Sequence, residues 1–255
     1  MSLSVKFDGG LGNQMFQIAA CYSLALSNND EAKFVFDPTE QQPNHQGKLS
    51  IRYKNNIYRN INGVEFVEGI VNSYKEPTYL EYNQIPYQPN TMLYGYFSSE
   101  LYFKKHSELV KSLFYIDPSD NKFDSIDLKQ SVCVHVRRGD FKLYPTILEV
   151  MDVDYYNDAM DCIGRDNNFI FISDEMSWVK ENFVGKNIHY CECNNDIGDF
   201  TLMTLCQHNI VSNSTFSWWG AYLNTNVDKK VIRPKKWWPN NINCDFIFPE
   251  SWIKI

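Results

Sequence analysis

The sequence predicts an α/β protein built on parallel sheets, and three observations carry that reading. The chain opens with a short β-like stretch, residues 3–7. Asp8-Gly9-Gly10-Leu11-Gly12 breaks it, and Met15, Ile18, Ala19, Tyr22, Ala25 and Leu26 then recur at helical spacing. The second half alternates strand-like and helix-like segments, an order that calls for parallel strands covered on both faces. Polar clusters stand where three of those strands end, at residues 135–140, 173–175 and 213–217, and open parallel sheets take their ligands beyond the carboxyl ends of strands.

The elements follow in order. Strand, glycine turn and helix over residues 3–26 form the opening of a nucleotide-binding type of unit. The glycines do not complete GxGxxG, because Met15 stands at the last glycine position, so a tight turn without a ligand is an equal reading. Residues 37–89 are polar and rich in Asn, Gln, Tyr and Pro, and read as loops, short strands and one short helix. A strand is expected at 93–97, a helix at 99–113 and a polar linker at 117–130, which divides the chain into domains 1–125 and 126–255. In 131–137, Val132, Val134 and Val136 face one way and Cys133, His135 and Arg137 the other. Helices are expected at 154–163, 176–183, 200–208 (with Asp199 as cap) and 216–223, and strands at 169–172, 210–211 and 231–232.

Composition narrows the class. The chain has 255 residues, 44% hydrophobic and 22% charged, as a soluble globular protein has. A formal net charge of −7 argues against a general nucleic-acid binder, and an anionic ligand would need a local cationic pocket. An aromatic fraction of 15% suits a sugar or nucleotide ligand and equally suits a core. Seven cysteines, an odd count at irregular spacing, read as reduced structural thiols in a cytoplasmic protein, and Cys191-Glu-Cys193 is too tight for a zinc hook. The N-terminus does not resemble a signal peptide, and no run approaches the roughly 20 apolar residues of a membrane span.

HVRRGDF, residues 135–141, sets two arginines at the end of a strand that looks buried. Arginine cannot shed its charge, so a counter-ion must meet it there. Its planar fork suits the oxygens of a diphosphate. Ser214, Thr215 and Ser217, in a turn before a helix, offer hydroxyls and backbone N–H groups to a second anion site. Asp174, with Glu175 beside it, could accept the paired donors of a guanine edge. Each cluster has a plainer reading: an ion pair of Arg137 or Arg138 with Asp140 or another carboxylate, helix caps at Asp174 and at Ser214 and Thr215, and a satisfied core histidine at His135.

GGLGNQMFQ (9–17), HVRRGDF (135–141), FISDE (171–175) and NSTFSWWGAYL (213–223) together resemble the motif set of the α-1,2-fucosyltransferase family, in the family's order and over nearly the whole chain. The resemblance implies a GT-B architecture, two Rossmann-like domains facing a cleft, with the acceptor on the N-terminal side. It implies GDP-β-L-fucose as donor, no metal or other cofactor, and an acceptor oligosaccharide whose reacting hydroxyl is commonly on galactose. Inversion at the anomeric centre implies a single in-line displacement. By the same resemblance Arg137 meets the β-phosphate, Arg138 binds phosphate or braces Asp140, Asp174 reads guanine, and Ser214 and Thr215 hold phosphate. Asp140 is the candidate base or equally an orienting partner for the arginines, and His135 a further catalytic candidate. Gly10, Gly12, Asn13 and Gln14 are expected to line the acceptor side.

Three rivals remain at this point. Asp152-Val153-Asp154 is formally a metal-binding DxD, although its place before a helix suits capping. A non-catalytic glycan-binding protein would use Trp218, Trp219, Trp237 and Trp238 as a stacking platform. A transferase of the same architecture could take another nucleotide sugar. Lys235-Lys236-Trp237-Trp238 also offers a peripheral contact to an inner-membrane surface, against the simpler reading of tryptophans tucked under the domain.

Overall fold

The structure is a computed structural model that describes residues 1–37, 50–121, 123, 126–192 and 195–255. It divides into two compact units, Met1–Ile116 with Asp245–Pro249, and Asp117–Cys244 with Glu250–Ile255. The division falls at Ile116 and Asp117 rather than at 125/126, so the polar stretch expected as a linker opens the second unit.

The first unit begins with β1 (Ser2–Val5), fully buried, and α1 (Leu11–Ser27). It continues through β2 (Glu31–Ala32), β3 (Phe34–Val35), β4 (Gly63–Val64), β5 (Asn72–Lys75), β6 (Thr91–Tyr94) and α2 (Ser107–Leu113). A parallel sheet runs in the order β2-β1-β6-β5, and β3 pairs with β4 apart from it. The single helix expected over 99–113 is instead two short 3-10 turns followed by α2. Phe103, between the turns at φ −139°, is fully buried and packs on Phe16 of α1 at 6.2 Å, so tertiary packing breaks the helix there. Of the polar stretch 37–89, residues 38–49 lie outside the described ones, and the remainder holds β4, β5 and a 3-10 turn at Ser50–Tyr53.

The second unit is β7 (Ser131–Val136), α3 (Val153–Ile163), β8 (Asn168–Ser173), α4 (Met176–Asn182), β9 (Ile188–Tyr190), α5 (Asp196–Leu205), β10 (His208–Ile210), α6 (Thr215–Leu223), β11 (Val231–Arg233) and β12 (Ile253–Lys254). All six strands are parallel, in the order β12-β11-β10-β7-β8-β9. The alternation of β7 is realised: Val132, Val134 and Val136 enter one core with α3, and Cys133 enters the other with α5. Asp152 accepts the Tyr155 N–H at 2.9 Å and caps α3, and Asp154 lies in its first turn, so the DxD makes a helix start. The cap of α5 is Asn195, not Asp199. Asn195 Oδ1 takes the Ile197 N–H at 3.2 Å, which starts the helix four residues earlier than expected.

In both units the topology reverses beside the first strand, between β1 and β6 and between β7 and β10. Open parallel sheets bind their ligands at the carboxyl edge beside such a reversal.

Candidate active site

In the second unit, two segments face each other across the reversal. The His135 ring ends β7 on its buried face, and its Nδ1 lies 2.9 Å from Ser212 Oγ beyond β10. Burial first, and the Arg137 charge second, push the His135 pKa down to about 3. The ring is therefore neutral at ordinary pH and joins the two sides of the reversal. A consequence follows for stability. Between the unfolded value of 6.5 and about 3 the unfolded chain takes a proton that the folded chain refuses, so the contribution is full above pH 6.5 and is lost as pH falls through that window. Between pH 7 and 5 the wild type is expected to lose about 2 kcal/mol relative to His135→Gln, read from denaturant midpoints.

Arg137 leaves the strand with its side chain about a third exposed (31%). Its Nε lies 2.8 Å from Asp140 Oδ1 and 3.2 Å from Asp174 Oδ2. The Asp140 contact is an ion pair without hydrogen-bond alignment, and Oδ1 is otherwise buried without a hydrogen-bond partner. Asp174, at the end of β8, accepts the backbone N–H groups of Arg138 at 2.9 Å and Gly139 at 3.1 Å. This is why residue 139 is glycine: a Cβ would sit 2.8 Å from Asp174 Oδ2. Asp174, expected as a guanine reader or a helix cap, is thus placed as the anchor of the arginine turn.

Arg138 turns away from Arg137. Its guanidinium lies 3.8 Å over the Trp178 ring, and its Nε donates to Glu175 Oε2 at 3.2 Å. It braces Glu175 rather than Asp140. Lys142 reaches Glu175 Oε1 at 2.5 Å, and this contact first, then Arg138, holds the Glu175 carboxyl below its ordinary range. Sequence reasoning missed Trp178 and Lys142. Nothing in the local pattern marks them, because they meet Arg138 and Glu175 only through the fold.

On the facing side, Ser214 is the N-cap residue of α6 and makes no side-chain cap bond, and Thr215 begins the helix half-buried. The positive end of the α6 dipole opens there. Ser217 is fully buried and its hydroxyl donates to the Ser214 carbonyl at 3.1 Å, so it secures the turn from within. Asn213 donates to the carbonyls of Glu149 at 2.8 Å and Trp237 at 2.9 Å and locks the approach to α6.

In the first unit, Gln14 is fully buried between the Gly9 carbonyl at 3.0 Å and the Tyr58 hydroxyl at 3.2 Å, and Gly12 is buried. Both are scaffold. Gly10 and Asn13 stay partly exposed, with the Asn13 side chain over Gly9. Trp218, Trp219, Trp237 and Trp238 are all buried, so they form no stacking platform, and the 235–238 segment keeps its tryptophans under the domain. The reason is local: residues 217–223 of α6 are buried throughout, as in a helix inside a core. Among the described residues no cluster of His, Cys, Asp or Glu could hold a metal, and no helix is long and apolar enough to cross a membrane.

Residues 2–255 match the family described as glycosyl transferase family 11. The chain is similar to an alpha-1,2-colitosyltransferase of Escherichia coli, 28% identical over 100% of this chain and 99% of the relative. It is also similar to galactoside alpha-(1,2)-fucosyltransferase 2 of Oryctolagus cuniculus, 27% identical over 84% of this chain and 65% of the relative. A glycosyl transferase family 9 structure from Veillonella parvula, 13% identical, matches 100% of this chain and 86% of its own with a TM-score of 0.51, a likeness of fold. Two Rossmann-like units in such a chain are the GT-B class of architecture.

Proposed function

The chain belongs to glycosyltransferase family 11, and on that premise we propose that it is an inverting α-1,2-fucosyltransferase that moves L-fucose from GDP-β-L-fucose to a galactose hydroxyl of an acceptor glycan. One observation carries the reading: Arg137, with Nε within 3.2 Å of two carboxylates, follows β7, and the start of α6 at Ser214 and Thr215 follows β10, the strand paired with β7. A diphosphate would meet a guanidinium on one side and a helix N-terminus on the other.

The acceptor oxygen bonds to C1 of fucose as the C1–O bond to the β-phosphate breaks. The electron pair leaves with GDP, and the acceptor proton passes to a base. Arg137 stabilises the developing phosphate charge. Asp140, whose side chain is 23% exposed beside Arg137, is the carboxylate nearest that chemistry on its own turn. Asp140→Asn is expected to lower kcat: a loss of kcat much larger than the loss of GDP affinity marks Asp140 as the base, and equal losses mark it as a positioning partner of Arg137.

The relatives divide between fucosyl and colitosyl donors, so the test compares them directly. GDP is expected to bind by calorimetry equally with and without EDTA, and turnover is expected with GDP-fucose in preference to GDP-colitose. Turnover of GDP-colitose alone would reassign the donor. Loss of GDP binding in EDTA would bring a metal into the site. An absence of GDP binding would remove the transferase reading.

A further inference from the structure

The first turn of α3 carries two adjacent tyrosines, and only one of their hydroxyls has found a partner in the fold. Tyr155 donates to the Val211 carbonyl, just beyond β10, at 2.5 Å. Tyr156 is fully buried, its ring edge-on to Tyr155 at 4.9 Å, to Trp178 at 6.3 Å and to Phe183 at 5.9 Å. Among the described residues the Tyr156 hydroxyl is buried without a hydrogen-bond partner. A phenylalanine would fill the same core and leave no polar atom dry, so packing alone gives this oxygen no use.

The hydroxyl faces the arginine turn. Burial first raises the Tyr156 pKa; the Arg138 charge and the Arg137 backbone N–H act to lower it, and the Asp174 and Asp152 carboxylates add to the rise. The Arg137 N–H thus reaches the hydroxyl oxygen without meeting the geometry of a hydrogen bond. The next part of the turn is fastened. Asp174 accepts the Arg138 and Gly139 N–H groups, and the Arg138 side chain is held by Glu175, by Trp178 and by the Met151 carbonyl at 3.3 Å. The Arg137 main chain is the part of the turn that meets the Tyr156 hydroxyl.

We propose that Tyr156 is a positioning residue for Arg137: when a diphosphate engages the guanidinium, the turn settles so that the Arg137 N–H donates to the Tyr156 hydroxyl, a bond made in the complex and not in the free protein. The proposal rests on the reading of Arg137 as the diphosphate ligand. A bond formed only with the ligand in place adds to affinity and rate and nothing to the stability of the free chain. The free fold carries a desolvated hydroxyl, and the complex relieves it.

The test uses the full chain. Tyr156→Phe keeps the ring and removes the oxygen. Its denaturant midpoint is expected to equal or exceed that of the wild type, while GDP affinity by calorimetry and kcat with GDP-fucose each fall about fivefold. Arg137→Ala and the double variant complete a cycle. The loss of GDP affinity caused by Tyr156→Phe is expected to disappear in the Arg137→Ala background, because the turn settles only through the guanidinium. A Tyr156→Phe protein that binds GDP and turns over like wild type overturns the proposal. So does a loss that is the same in the Arg137→Ala background, or one that comes with a lowered midpoint. Inorganic pyrophosphate is the second probe. A wild type that binds pyrophosphate and not GDP, with the fivefold loss in Tyr156→Phe, keeps the positioning role and removes the donor reading. A wild type that binds neither removes both.

Discussion

Arg137→Ala is expected to lower kcat about 10²–10³-fold and to weaken GDP binding at least about tenfold. Arg137 directly follows β7, while Arg138 is engaged by Glu175 and Trp178, and a lysine could not copy the two-point hold of the Arg137 guanidinium on phosphate oxygens. Asp140 at 2.8 Å and Asp174 at 3.2 Å pair with Nε as counter-ions, which draws the guanidinium to the turn before a ligand arrives. Arg137→Lys keeps a charge and loses that orientation, and it should fall between wild type and alanine. Removal of the guanidinium also leaves two carboxylates facing each other across the turn, so a modest loss of stability is expected at low salt and less at high salt. Single-turnover rates with GDP-fucose and calorimetry with GDP read the two effects separately. An Arg137→Ala protein that binds GDP and turns over like wild type would move the diphosphate elsewhere.

Asp174→Ala is expected to cost about 2–3 kcal/mol of stability in the second unit and to carry GDP affinity down with it. The carboxylate accepts two backbone N–H groups, from Arg138 and Gly139, and meets Arg137 Nε, while its side chain is only a quarter exposed (25%). Deletion leaves those donors to water and frees the arginine turn. Asp174→Asn keeps an acceptor oxygen and should lose less. Inosine diphosphate separates this role from base recognition, because it lacks the 2-amino group that a carboxylate would accept from guanine. If Asp174 holds the turn, the variant loses GDP and inosine diphosphate in equal proportion. A selective loss of GDP, with the denaturant midpoint unchanged, would make Asp174 a base reader.

Much of this molecule was legible in the chain itself. Period-2 alternation in residues 131–136 placed β7 and both of its cores, since side chains of a strand point to opposite faces whatever the context. Glycine after β1 and helical spacing after it placed α1. Two arginines at the end of an apolar strand required an anion, because arginine stays charged. Four motifs carried the family, which the match over residues 2–255 shows.

The tertiary structure decided what no local pattern encodes. Phe103 breaks the expected helix at 99–113 because its ring is needed against α1. Strands β9 and β12, three and two residues long, exist only because neighbours pair with them. The same holds for roles in the site. Asp174 and Arg138 are 36 residues apart in sequence, and Tyr155 and Val211 are 56 apart. Residue type announces that a carboxylate or a guanidinium is present, whereas packing alone determines which partner it meets and how much water is left around it. Gln14 looked like a ligand contact and is buried between the Gly9 carbonyl and the Tyr58 hydroxyl.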